Sequence, residues 1–218
     1  MILTGEVEAR AWLRSLPECD AAAFERLELL ARLLREENLR QNLVSAASME
    51  QVWVRHIVDS AQLLGYVPRE TTSPWLDLGT GAGFPGLVIA ALRPDIRIVM
   101  AESRPRRTEW LESARAALGL DQAEIFCGRI EALQTAPFRV ISARAFAPLP
   151  RLLDLSARFS TDDTAWLLPK GRSAAQELQD LKGWQHMFHV EQSLSDAEAG
   201  VIVGSLRTQK AQKKGKKS

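Results

Sequence analysis

Asp77-Leu-Gly-Thr-Gly-Ala-Gly-Phe-Pro-Gly86 lies between Trp75-Leu76, apolar and strand-like, and Leu87-Val-Ile-Ala-Ala-Leu92, apolar and able to run as a helix. Strand, glycine-rich turn and helix, in that order, bring a nucleotide-like ligand against bare backbone at a helix N-terminus. Gly79, Gly81 and Gly83 lack the Cβ atoms that would hold an adenosine group away.

The segment Gly81-Ala-Gly-Phe-Pro-Gly86 also fits G-x-G-x-x-G, the dinucleotide pattern, so the class of ligand turns on Asp77. A carboxylate there would stand close to a diphosphate over the helix N-terminus. S-adenosylmethionine has no phosphate and carries sulfonium and ammonium cations, so an acid at this strand end favours the methyl donor. The next strand, 96–101, ends at Glu102, a position suited to accepting both ribose hydroxyls. Dinucleotide folds place an acid there too, and Arg104, Arg106 and Arg107 would suit a 2′-phosphate, as in an NADP site. No Gly-Lys-Ser/Thr follows the loop, which excludes a phosphate-binding P-loop.

Working outward, apolar strand patterns at 75–79, 96–101, 123–127, 138–143 and 164–168 alternate with helical patterns at 85–92, 105–118, 149–158 and 173–181. Such alternation implies right-handed crossovers and a mostly parallel sheet. The last two strands, 186–190 and 201–206, have only a polar loop between them and read as a closing hairpin. The expectation is a doubly wound, seven-stranded, Rossmann-like α/β fold of the class I S-adenosylmethionine-dependent methyltransferases, with an N-terminal helical extension. Residues 1–66 carry no strand signal; Phe24, Leu27, Leu30, Leu33 and Leu34 recur at helical spacing, as do Val52, Trp53, His56, Ile57 and Leu64. They read as a helical region packing on the body, followed by a linker with Pro68 and Pro74, a methyltransferase domain over 67–206 and a disordered basic tail over 207–218.

With 218 residues, 46% of them hydrophobic and 25% charged, the chain suits one main domain with an appendage. The six basic and no acidic residues from Arg207 to Ser218 leave the rest of the chain net acidic, although the total is +1. A mobile polycation raises encounter with RNA phosphates. Cys19 and Cys127 make neither a disulfide framework nor a metal site, and Cys127, in an apolar run, is expected as a buried strand thiol. Glu6 and Glu8 stand where a signal peptide needs a basic and then apolar stretch, and no apolar run reaches membrane-spanning length. The setting expected is cytoplasmic, with no membrane partner.

Taken together, the motifs resemble one family, the bacterial small-subunit ribosomal RNA guanine-N7 methyltransferases, long called glucose-inhibited division protein B. The resemblance spans nearly the whole chain: Asn42-Leu-Val-Ser45, Arg55-His-Ile-Val-Asp-Ser60, the loop Asp77–Gly86 with its Pro-Gly ending, Glu102-Ser103 with Arg107, Gly128-Arg-Ile-Glu131, Ser142 to Ala147, and Pro169-Lys-Gly171. It implies S-adenosylmethionine as cofactor, with S-adenosylhomocysteine as product, held at Gly79, Phe84, Ile130, Glu131 and Arg144. Asp77, Gly81 and Glu102 join this set from the loop reading. It implies 16S ribosomal RNA in the small subunit as partner, guanine 527 of the 530 loop as target, and a monomer. The chain departs from the family pattern at Arg139, after Phe138, where the family shows Asp, and at Ala143, where it has Ser directly before the arginine; here Ser142 lies one residue earlier.

A guanine N7 has a free lone pair and attacks a sulfonium methyl without losing a proton, so positioning matters more than acid–base help. No Asp/Asn-Pro-Pro-Tyr/Phe follows the fourth strand, as an exocyclic amine methylase would use, and there is no Pro-Cys nucleophile for pyrimidine C5. Arg144 is the expected positioning residue, donating to guanine O6 or a phosphate, with no general base. Phe146 is a candidate stacking surface or a core aromatic, Lys170 a phosphate contact or a solvated loop lysine, and His56 with Asp59 a structural pair or an RNA contact. Two other readings are open: an NAD(P)-dependent Rossmann oxidoreductase, although the single tyrosine, Tyr66, precedes the loop, and a non-catalytic RNA-binding or ribosome-assembly protein that keeps the fold.

Overall fold

The computed structural model describes residues 1–71 and 74–207; the basic stretch 208–218 and two linker positions lie outside them. The first five strands in the chain are parallel and joined by four helical or 3-10 crossovers: β1 Trp75–Leu78, β2 Ile98–Glu102, β3 Ala123–Cys127, β4 Val140–Ala143 and β5 Ala165–Gly171. A hairpin of β6 His189–Gln192 and β7 Gly200–Gly204 closes the sheet, with β7 antiparallel to β5. The order β3-β2-β1-β4-β5-β7-β6 gives seven strands, as expected. The chain reverses direction across the sheet between β1 and β4. The crevice at their carboxyl ends is therefore where a ligand belongs.

Helices cover both faces, and β1 is buried along its whole length, as parallel strands are. On one face, side chains of α1 Glu6–Arg14, α2 Ala21–Asn38, α5 Gly86–Leu92 and α6 Pro105–Ala117 share one buried cluster with Trp75, Ile98, Met100 and Val140. On the other, α7 Leu149–Ser156 packs on Leu76, Leu78, Val99 and Ile141. Every residue of α5 is buried, because the N-terminal helices cover the side that the sheet does not. Asp20 caps α2 by accepting the Ala23 N–H at 2.7 Å, and Ser45 caps α3 Ala46–Glu50 through the Ser48 N–H at 3.2 Å.

Three local expectations change. The helical pattern through residues 52–64 is broken: Trp53–Val58 winds as a π-helix, followed by a short α4 Asp59–Ala61 and a 3-10 turn Gln62–Tyr66. The strand expected at 186–190 becomes regular only at His189. A bridge from His186 to Leu206 and the Met187 N–H donating to Ser205 O at 2.9 Å keep the same register through the interruption. Cys127 is exposed, because it ends the edge strand β3, and the Thr108 hydroxyl donates to its sulfur at 3.3 Å.

Candidate active site

Two cavities open at the carboxyl ends of the strands, one on each side of the segment Ala145–Pro148 that follows β4. The first, about 790 Å³, is lined by Gly79, Glu102, Arg107, Ile130, Glu131 and Phe146, among others. Glu102 is 6% exposed and is fixed by its own backbone surroundings. Its Oε1 accepts the Ser103 and Arg104 N–H groups at 2.8 and 2.9 Å, and its Oε2 accepts the Gly81 N–H at 3.1 Å. The Arg107 guanidinium stands 3.9 Å from Oε2. Oε2 keeps acceptor capacity toward the cavity, which suits ribose hydroxyls, while Ile130 supplies an apolar edge for a purine. Gly79, at φ +63°, has no side chain of its own, and the Phe146 ring lies against that face. The residues present fit an adenosine-bearing cofactor.

The second cavity, about 800 Å³, is lined by Arg55, His56, Asp59, Arg144, Phe146 and Lys170, among others. Arg144 is held from the N-terminal helices. Its Nη1 donates to Asp59 Oδ2 at 3.3 Å and to the Arg55 carbonyl at 3.2 Å, and its Nη2 faces His56 Nδ1 at 3.1 Å. Below it, the His56 and Phe84 rings stack with centroids 4.9 Å apart, and the guanidinium lies 5.2 Å over Phe84. Burial, reinforced by Arg144 and Arg55, pushes the His56 pKa down to about 3. A neutral His56 accepts from Arg144 through Nδ1 and carries its proton on Nε2, which is buried without a partner. Asp59 also accepts the Ser195 hydroxyl through Oδ1 at 2.7 Å, tying the loop between β6 and β7 to the same cluster.

The structure brings Gly79, Glu102, Ile130 and Glu131 together around one cavity and places the other expected donor residues elsewhere. Gly81 acts through its N–H on Glu102. Arg144 faces the second cavity. Phe84, 1% exposed, is spent beneath His56 and Arg144 and offers no surface to a ligand. Asp77 stands apart from both cavities as well. Its carboxylate is fully buried, accepting the Gly86 N–H at 3.0 Å and the Ser142 hydroxyl at 2.8 Å, so it braces the glycine loop against β4 and reaches neither cavity. Burial raises its pKa, and those hydrogen bonds oppose the rise.

Residues 23–198 match the family model described as rRNA small subunit methyltransferase G. The chain belongs to this family. Proteins named ribosomal RNA small subunit methyltransferase G from Novosphingobium aromaticivorans and Erythrobacter litoralis are 57% and 56% identical to it. The first match covers 94% of this chain and 90% of the relative, the second 95% and 99%. Among solved structures, a cofactor-bound protein, Rv0187 from MTB, aligns over 94% of this chain and 99% of its own with TM-score 0.60 at 16% identity. A mutant of MtNAS in complex with S-adenosylmethionine aligns over 94% and 85% with TM-score 0.55, also at 16% identity. At that identity the likeness is one of fold.

Within this family's pattern the displaced serine finds a clear place. Ser142 lies opposite Asp77 in the β1–β4 ladder, and its hydroxyl joins the Trp75 indole N–H, at 2.9 Å, to the Asp77 carboxylate. Ala143 points to the opposite face of the sheet, among the apolar side chains under α7. Lys170 is not a solvated lysine. Its side chain is 7% exposed, donates to the Ala147 carbonyl at 2.6 Å and pairs with Glu177 at 2.9 Å. Glu177 also accepts the Leu149 N–H at 2.8 Å. His56 and Asp59 do not bond to each other but meet at Arg144, which bonds to both. Neither the Lys170–Glu177 clamp nor the Ser142 relay has a signal in the local sequence, because each partner comes from a different element.

Proposed function

We propose that this protein transfers the methyl group of S-adenosylmethionine to N7 of a guanine in 16S small-subunit ribosomal RNA, guanine 527 by family resemblance. The observation that carries the reading is the pairing of an adenosine-suited cavity with a second cavity across one short segment at the β1–β4 crevice. When bound, the donor supplies an electrophilic methyl on its sulfonium. Gly79 offers bare backbone to it, Glu102 accepts from its ribose, and Ile130 with Glu131 borders its purine. The second cavity receives the extruded base, with Arg144 donating toward guanine O6.

The ionisable groups of the second cavity support alkylation without proton removal. Asp59 is paired with Arg144, Asp196 with Arg55 and Glu177 with Lys170, while His56 is neutral and already accepting from Arg144. None is free to act as a base, and N7 needs none. Arg104, Arg129 and Arg151 around the first cavity suit phosphates flanking the base. The basic stretch 208–218, outside the described residues, adds non-specific attraction. One chain supplies both cavities, which supports action as a monomer, with residues 1–66 a working part of the site. The test is transfer of a labelled methyl group to small-subunit RNA, together with mapping of N7-methylguanosine in RNA from cells lacking the protein. Unchanged methylation in those cells would end the proposal.

A further inference from the structure

Phe146 is the one large side chain in the segment that separates the cavities, and it lines both. Its ring lies on Gly79: a methyl group placed there would stand 2.5 Å from Phe146 Cδ2 and 3.3 Å from Cε2. The face that the glycine leaves bare is therefore covered by the phenyl ring, and no ligand can meet that face while the ring remains.

The chain around Phe146 is anchored on both sides. Arg144 is tied to Asp59, His56 and the Arg55 carbonyl, and beyond the ring Lys170 holds Ala147 O while Glu177 holds the Leu149 N–H. Between these anchors sits Ala145 at φ +51°, among the described residues the one non-glycine in the left-handed region. A strained residue beside a half-buried aromatic, with fixed anchors either side, confines movement to Ala145 and Phe146.

We infer that Phe146 is a shutter between the two cavities. It leaves Gly79 when the methyl donor binds and turns toward the cavity of Arg144, where its face meets the extruded guanine. Donor binding thus completes the base cavity, and the donor binds before the RNA. This inference rests on the donor and base assignments made above, and it makes Phe146 a positioning residue for both.

The experiment compares the full-length protein with Phe146→Ala and Phe146→Leu, using calorimetry with S-adenosylhomocysteine and steady-state transfer to small-subunit RNA. Because a closed shutter reduces the fraction of protein competent to bind, Phe146→Ala binds S-adenosylhomocysteine about three-fold or more tighter than wild type. Loss of the stacking face raises its KM for RNA about ten-fold. In the wild type, a small-subunit RNA carrying 7-deazaguanine at the target, which cannot accept the methyl group, inhibits uncompetitively against the donor; in Phe146→Ala it inhibits non-competitively, because the order of binding is lost. Phe146→Leu, which retains bulk over Gly79 but has no aromatic face, keeps wild-type donor affinity and shows the RNA defect. Unchanged thermal unfolding of Phe146→Leu assigns its RNA defect to the missing face. Weaker donor binding by Phe146→Ala, or no change in either substrate, overturns the shutter alone. No binding of S-adenosylhomocysteine to the wild type overturns the donor assignment and the shutter with it.

Discussion

Asp59 and Arg144, 85 positions apart, form the ion pair that joins the N-terminal helices to the turn after β4, with Nη1 and Oδ2 3.3 Å apart. Asp59 is supplied by the segment just after a π-helical turn, and its other oxygen holds Ser195. The N-terminal region therefore sets the position of the guanidinium in the second cavity. Asp59→Ala is expected to lower single-turnover methyl transfer about 10²-fold, the cost of a small misplacement of a positioning group, with S-adenosylhomocysteine affinity unchanged in calorimetry. Loss of donor affinity instead would show that Arg144 serves the first cavity.

Arg144→Ala is expected to cut transfer by about 10²–10³-fold, as removal of one preorganised donor does, and to leave the circular dichroism spectrum and thermal midpoint near wild type. Arg144→Lys is not expected to rescue it. A single ammonium cannot meet Asp59, the Arg55 carbonyl and His56 in one plane. Wild-type turnover by Arg144→Ala would remove the residue from the mechanism.

Ser142→Ala strips a partner from both Asp77 and Trp75 in a fully buried relay. Denaturant unfolding should show a loss of about 1–3 kcal/mol, the cost of leaving a buried polar group unsatisfied. A loss of only a few tenths would mean that water replaces the hydroxyl.

His56 gives the stability a pH dependence. Its folded pKa lies at about 3 against an ordinary 6.5, because burial, then Arg144 and Arg55, oppose the charged form. Between those values the unfolded chain takes up a proton that the folded chain refuses, so stability falls as pH drops through this window. The limiting slope is about 1.4 kcal/mol per pH unit. His56→Gln should flatten the curve of unfolding free energy against pH in that range; parallel curves would show that His56 ionises freely in the fold.

Binding of small-subunit RNA should weaken with salt, and Arg151→Ala should lower the slope of log affinity against log salt by about 1 if that side chain meets a phosphate. An equal slope in the variant would place the RNA path away from the rim of the first cavity.

The glycine loop, its carboxylate neighbours and the alternation of strand and helix were legible in the chain because each depends on residues close in sequence. Period and turn chemistry specify a strand, a bare-backbone turn and a helix, and the closing hairpin follows from two strands with no helix between. Gly79, Glu102, Ile130 and Glu131 border one cavity because each sits at, or just beyond, the carboxyl end of a strand in a parallel sheet, although Ile130 and Glu131 were singled out by family resemblance and not by local pattern. What Asp77, Phe84, Phe146 and Lys170 do depended on tertiary packing. A carboxylate, two phenyl rings and an ammonium each have several satisfactory environments, and the choice rests on partners brought from distant segments: Ser142 for Asp77, His56 for Phe84, Gly79 for Phe146 and Glu177 for Lys170. Local sequence fixes backbone geometry through short-range sterics and hydrogen bonding; which side chains meet across the crevice is settled only when the two faces of the sheet close.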